Sequence, residues 1–209
     1  MCPPSGDITD SQAGKFFSSI RLTWSQLQEV VWSHGCSKDS RGLLFAFGNN
    51  YVGGRIVDLK VGNTETAARI IQELTGAALF RIDTVQTYPL DYEETTRVAQ
   101  TELRQKARPE LRQRGTGLEG IGTIILGYPN WWGTMPMAVC TFLESLDFTG
   151  KVILPLCTHE GSGLGHSVSD IRKTCPGAKV LDGLAIVGGK VGGSKSAIQA
   201  WLKSAGVIA

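Results

Sequence analysis

The 209-residue sequence lacks the features that would place it in several broad classes. No apolar run approaches the ~18 residues of a membrane span, so no membrane association is expected. Lys and Arg number 21 against 19 Asp and Glu, a formal net charge of +2, and no basic block stands out, so nothing calls for a nucleic-acid partner. The cysteines (Cys2, Cys36, Cys140, Cys157 and Cys175) form no CxxC pair, are odd in number, and partly lie inside apolar segments. That usage suits reduced thiols and predicts a cytoplasmic protein. The amino terminus carries Asp7 and Asp10 and has no charged-then-apolar order, so no secretory signal is expected.

Catalytic motifs are also scarce. His34, His159 and His166 lack zinc-ligand spacing, and His159-Glu160 lacks the second His of HExxH. Ser162 lies in Gly-Ser-Gly without the five-residue GxSxG elbow. Neither a Walker P-loop nor GxGxxG occurs. Metal and hydrolase chemistry find no support, and no catalytic side chain is assigned.

What the sequence does contain is an alternation of two periods over residues 42 to 203. Gly42–Phe47, Ala78–Val85, Ile121–Tyr128, Lys151–Cys157 and Lys179–Val187 read as strands, several of them near-continuous apolar runs. Such runs suit strands buried on both faces of a parallel sheet. Between them, Thr64–Leu74, Tyr92–Leu111, Pro136–Leu146, Ser167–Cys175 and Ser194–Leu202 read as helices. Strand followed by helix, repeated along the chain, predicts a doubly wound α/β sheet of five parallel strands.

Residues 1–41 do not continue this pattern. Phe17, Ile20, Trp24, Leu27 and Val31 are spaced three and four apart and predict an amphipathic helix from about Ser11 to Ser33. We read 1–41 as an N-terminal helical extension with linker and 42–209 as the α/β domain. The apolar stripe must be covered, and self-association into a homo-oligomer or docking on a partner is expected to cover it.

In an open parallel sheet, ligands bind beyond the carboxyl ends of the strands, where strand order reverses. After the first strand come Gly48 and Asn49, an insertion, and then Gly62-Asn63-Thr64-Glu65 opening a helix. Free backbone N–H groups and the helix dipole favour an anion there; alternatively, Asn63 caps the helix and Gly62 makes the turn. After the third strand comes Pro129-Asn130-Trp131-Trp132-Gly133. Adjacent loop tryptophans either stack on a flat aromatic ligand or pack on neighbouring helices. After the fourth strand comes Thr158-His159-Glu160-Gly161-Ser162-Gly163. Its glycines admit close approach to a ligand, and His159 is either a donor to a reduced ring or a solvated side chain.

These segments resemble the flavodoxin-like family, in its flavodoxin-4-type branch of FMN-binding proteins. The resemblance rests on GNTE at Gly62–Glu65, ARPEL at Ala107–Leu111, LGYPNWWGTMPMA at Leu126–Ala138 and CTHEGSG at Cys157–Gly163. It implies strand order 2-1-3-4-5 with FMN at the switch point, the arrangement for which flavodoxin is itself the standard example. It further implies that Asn63 and Thr64 meet the phosphate, that Pro129 to Gly133 line the isoalloxazine, and that Thr158 to Gly163 close over its pyrimidine edge. The sequence departs from the family after the first strand. Phe45-Ala46-Phe47-Gly48-Asn49-Asn50 stands where Phe-Ser-x-x-Gly is usual, so a phosphate-binding hydroxyl is missing.

The resemblance implies an FMN protein acting in electron transfer or as a small flavin-dependent oxidoreductase, with a redox partner protein or a small-molecule electron acceptor. The weak positive charge lacks the acidic field of classical flavodoxin carriers and tilts the reading towards a reductase. The altered first loop supports an alternative, an interaction module of the same fold in which FMN binding is weakened or lost.

Overall fold

In the computed structural model, the described residues are 40–44, 49–53, 55–113 and 120–209. The predicted N-terminal helix, Phe45–Gly48 and the candidate ligand residue Gly48 lie outside them.

The strands are β1 (Ser40–Leu44), β2 (Asn49–Val52), β3 (Arg55–Asp58), β4 (Ala78–Arg81), β5 (Thr123–Pro129), β6 (Val152–His159), β7 (Lys179–Val180) and β8 (Leu184–Val187). The α-helices are α1 (Asn63–Thr75), α2 (Tyr92–Gln105), α3 (Met137–Glu144), α4 (Ser167–Thr174) and α5 (Lys195–Ser204), with a 3-10 helix at Gly188–Gly193. The main sheet runs β4-β1-β5-β6-β7, every pair parallel, and β8 also pairs with β6.

The apolar runs form strands because both faces of the sheet are covered. Along β5, Ile124, Leu126 and Tyr128 face one cluster with Phe142, Leu143 and Ile171, while Ile125 faces the other with Ala67, Ile71, Ile198 and Leu202. Along β6, Ile153 and Cys157 belong to the first cluster, and Leu154 and Leu156 to the second. Helices α1 and α5 therefore cover one face, and α3 and α4 the other.

Several predicted boundaries are corrected. The sheet has six strands where five were expected, because the run Lys179–Val187 divides into β7 and β8. β7 pairs with Val152 and Ile153, and pairing resumes at Leu156 with β8. Between these contacts lies Pro155, which has no N–H to offer a neighbour. Gly183 sits at the same break, where an added Cβ would meet Leu164 Cδ2 at 2.8 Å. The insertion after the first strand is an antiparallel hairpin, β2 with β3, that pairs Asn49 with Asp58. Asn49 thus belongs to a strand and not to a turn before the helix.

Helix α2 is shorter than the predicted Tyr92–Leu111. It ends at Gln105 with Lys106 left-handed at φ 50°, just before Arg108-Pro109, where proline disfavours helical geometry in the preceding residue. The chain then returns beside the end of β4: Val85 N–H donates to Glu110 O at 2.8 Å and Arg112 N–H to Asp83 O at 2.9 Å. The predicted second strand accordingly stops at Arg81, and Thr84 makes only an isolated bridge to Leu111.

Candidate functional site

The carboxyl ends of β5 and β6 lie side by side, with Tyr128 paired to Cys157 and Pro129 to Thr158. Both following loops therefore start from one point, and Asn130 binds them together. Its backbone N–H donates to Thr158 O at 2.8 Å, its Nδ2 donates to Gly163 O at 3.0 Å, and its Oδ1 accepts from Gly133 N–H at 2.9 Å. With its amide engaged at both ends, Asn130 acts as a bracket that sets the spacing of the two loops.

Trp131 and Thr134 exchange backbone hydrogen bonds across a two-residue turn in which Trp132 and Gly133 have φ of 55° and 88°. Positive φ at both central positions is the signature of a type I′ turn, which favours Asn-Gly or Gly-Gly. A bulky side chain in the left-handed region costs about 1–2 kcal/mol. Trp132 is held there by its indole, whose Nε1–H donates to Thr96 O on α2 at 3.0 Å. The tryptophans thus separate in role. Trp131 is half-buried and meets Tyr88 edge-on, with ring centroids 5.0 Å apart. Trp132 remains 47% exposed.

The second loop is fastened to the first from the other side. His166 N–H donates to Gly133 O at 2.8 Å. Gly165 is left-handed at φ 54°, and a Cβ on it would overlap the Gly133 carbonyl oxygen, so only glycine fits there. Asp170 Oδ2 accepts from Thr134 Oγ1 at 2.7 Å and pairs with His166 Nδ1 at 2.5 Å. Beneath the loops, Tyr128 OH and Ser167 Oγ bond at 2.8 Å, while Ser167 donates to Leu164 O at 2.6 Å. The serine proton being spent on Leu164, Tyr128 is the donor in the first bond.

Gly161 and Gly163, with φ of 142° and 58°, have open space where a Cβ would stand. Backbone can therefore approach a ligand closely at these positions. His159 Nδ1 accepts from Gly161 N–H at 2.9 Å, which leaves the neutral ring its proton on Nε2 as a donor.

Helix α1 opens at Asn63 behind Gly62, which is extended at φ −63° and ψ 155° and brings no side-chain cap. Asn63 is the first helical residue and does not cap the helix. The positive end of the macrodipole is thus left without a capping side chain, the condition under which helix N-termini accept anions. Thr64 points inward: its hydroxyl and that of Thr158 bond at 2.7 Å, both buried. This bond joins the predicted phosphate-binding turn to the predicted ring-binding loop. The candidate residues from Gly62 to Thr64, Pro129 to Gly133 and Thr158 to Gly163 are therefore brought to one end of the sheet.

Gly53 and Gly188 belong to no motif that marks them in the sequence. Gly53 N–H donates to Glu160 Oε2 at 3.3 Å. A Cβ on Gly188 would overlap both Asn63 Nδ2 and Glu160 Oε1, so the 3-10 helix packs directly on the start of α1 and on the loop after β6. The only sequence signal for this approach was the Gly188-Gly189 pair closing the last strand. Among the described residues, no group of His, Cys, Asp and Glu is arranged to hold a metal, and no helix is long and apolar enough to cross a membrane.

A family model described as flavodoxin, of the flavodoxin-4 group, matches residues 59–205. No curated protein matches the chain. Among solved structures, a flavoprotein of Bacteroides eggerthii is 24% identical, with a TM-score of 0.63 over 79% of this chain and 96% of its own. A flavoprotein of Bacteroides uniformis is also 24% identical, with a TM-score of 0.63 over 81% of this chain and 99% of its own. A flavoprotein of Lactobacillus acidophilus, solved in complex with FMN, is 19% identical, with a TM-score of 0.55 over 74% of this chain and 97% of its own.

Proposed function

We propose that this chain, which belongs to the flavodoxin family, holds FMN at the carboxyl end of its sheet and passes electrons to a redox partner protein or a small-molecule acceptor. The observation that carries the reading is the convergence of the start of α1, bare of a side-chain cap, with the loops after β5 and β6, tied by Thr64–Thr158 and Asn130. The sheet order β4-β1-β5-β6-β7 places β1 between β4 and β5, so strand order reverses beside this point.

The residues present fit the group. A phosphate suits the N–H groups of the first turn of α1, with Asn63 beside them. The half-exposed indole of Trp132 offers a face for a flat ring. The open backbone at Gly161 and Gly163 suits the ring's polar edge. Bound FMN would supply transfer of one or two electrons. The protein's part is to orient it through the bracketed loops and to shield it from water. His159 Nε2 offers a proton donor in the loop assigned to the pyrimidine edge. With Phe45–Gly48 outside the described residues, the missing hydroxyl of the first loop is a reason to expect modest affinity, since a charge-assisted bond contributes about 1.5–3 kcal/mol.

Absorbance of the purified chain, followed by titration of FMN with fluorescence detection, tests the proposal. We expect the flavin bands to shift and the fluorescence to be quenched on binding. Full FMN fluorescence at high micromolar protein would favour the interaction-module reading instead.

A further inference from the structure

We propose that Glu160 is an internal counter-anion that holds the phosphate corner of the site until a phosphate displaces it, and so lowers the preference for FMN over riboflavin. The inference rests on the FMN reading above. Its basis is where the carboxylate lies. Oε2 accepts from Gly53 N–H in the hairpin turn at 3.3 Å. Oε1 and the Asn63 amide nitrogen converge on one point, the position a Cβ would take on Gly188. Asn63 is the first residue of α1, whose N-cap is a glycine with no side chain to offer. The carboxylate therefore stands beside the positive end of a 13-residue helix.

An anion at a helix N-terminus is stabilised by the dipole and by the first-turn N–H groups. Other acidic groups nearby are already engaged. Glu65, in the first turn, is paired with Arg69 at 2.7 Å and Arg81 at 2.9 Å. Among the described residues, no Lys, Arg or His forms an ion pair with Glu160, and the groups it faces, Gly53 N–H and the Asn63 amide, are dipoles that a phosphate would also seek. A dianionic phosphate at this corner meets a like charge unless Glu160 moves away. Glu160 is exposed and follows the last residue of β6, so its side chain can turn to solvent without moving the strand. Riboflavin, lacking the phosphate, brings no charge to this corner and has no need to displace the carboxylate.

The test compares the full chain with Glu160→Gln, which keeps the size and removes the charge. FMN affinity should rise about two- to fivefold, the scale of one like charge removed at an exposed site, with riboflavin unchanged. Equal changes for both ligands, or weaker FMN binding, would overturn the assignment. Inorganic phosphate gives an arm independent of flavin, read on the Asn63 side-chain amide by 15N NMR. Glu160→Gln should respond at lower phosphate concentration than the parent chain. If that response appears while neither flavin binds, the FMN reading fails and the counter-anion assignment stands. If the Asn63 amide is indifferent to phosphate in both proteins, the assignment is wrong, whatever flavin does.

Discussion

Thr64 and Thr158, 94 residues apart in the chain, bond hydroxyl to hydroxyl at 2.7 Å beneath the candidate site. Thr64 is 2% exposed and Thr158 4%, so neither hydroxyl can turn to water if its partner is removed. Each single change to Val should therefore destabilise the fold by about 1–3 kcal/mol, the penalty of one buried hydroxyl left unpaired. The double change should cost less than the sum, because both orphaned groups are gone. Urea unfolding of the four proteins measures the coupling. Strict additivity would mean that the bond contributes nothing.

The two loop tryptophans should behave differently. Trp131→Ala removes a half-buried ring packed on Tyr88 and should lower stability by about 2 kcal/mol or more. Trp132→Ala removes an exposed indole with its hydrogen bond to Thr96 O and leaves a non-glycine residue in the left-handed region, so stability should fall by only about 1 kcal/mol. FMN affinity should show the reverse order, falling about tenfold for Trp132→Ala. Paired thermal melts and FMN titrations check both. A large loss of affinity confined to Trp131→Ala would assign the stacking face to the other ring.

The alternation of buried strand and amphipathic helix was legible because the apolar runs of β5 and β6 are dictated by burial on both faces, whatever the tertiary detail. The family resemblance was legible for a local reason too: most of PNWW and THEGSG lies beyond the ends of β5 and β6, on loops whose composition no core requires. Pairing geometry was not. Nothing in Lys179–Val187 announces that β6 offers a proline at its midpoint, which coincides with the break between β7 and β8. Asn130 reads as a polar loop residue, and two of its three bonds depend on where Gly163 and Thr158 arrive. Trp132 in a turn position suited to Asn or Gly contradicts local preference outright. It is held by Thr96, 36 residues away, which no periodicity can reveal.

The described cysteines should be inert in the folded protein. Burial pushes the Cys157 thiol up to about 12, and those of Cys140 and Cys175 up to about 11. All three are free and buried, so little thiolate forms at neutral pH and reagents have poor access. Alkylation at pH 8 with peptide mapping should label them only after denaturant is added. Rapid labelling of native Cys157 would show that the end of β6 opens more readily than its packing allows.

Arg108 grips Glu144 through two bonds of 2.6 Å and also donates to Lys106 O and Ala107 O at 2.9 Å, fastening the segment after α2 to α3. The hydrogen bond from Arg108 holds the Glu144 carboxyl below the ordinary carboxylate range. A depressed folded-state value gives stability that is present above the unfolded value and is lost as pH falls through the folded one. The pair is partly exposed, so its worth is about 0.5–1 kcal/mol. Arg108→Met should therefore be less stable than the parent at pH 7, with the difference shrinking below about pH 4. A difference that stays constant with pH would assign the effect to packing of the arginine stem.

The central claim is that one FMN sits at the meeting of three segments, and 15N-labelled protein titrated with FMN examines all three at once. Backbone signals of Gly62 to Glu65, Asn130 to Gly133 and Thr158 to Gly163 should shift together and saturate at one equivalent. Those of α5 and of the far ends of the strands should stay in place. Unchanged spectra, or shifts confined to residues elsewhere, would contradict it.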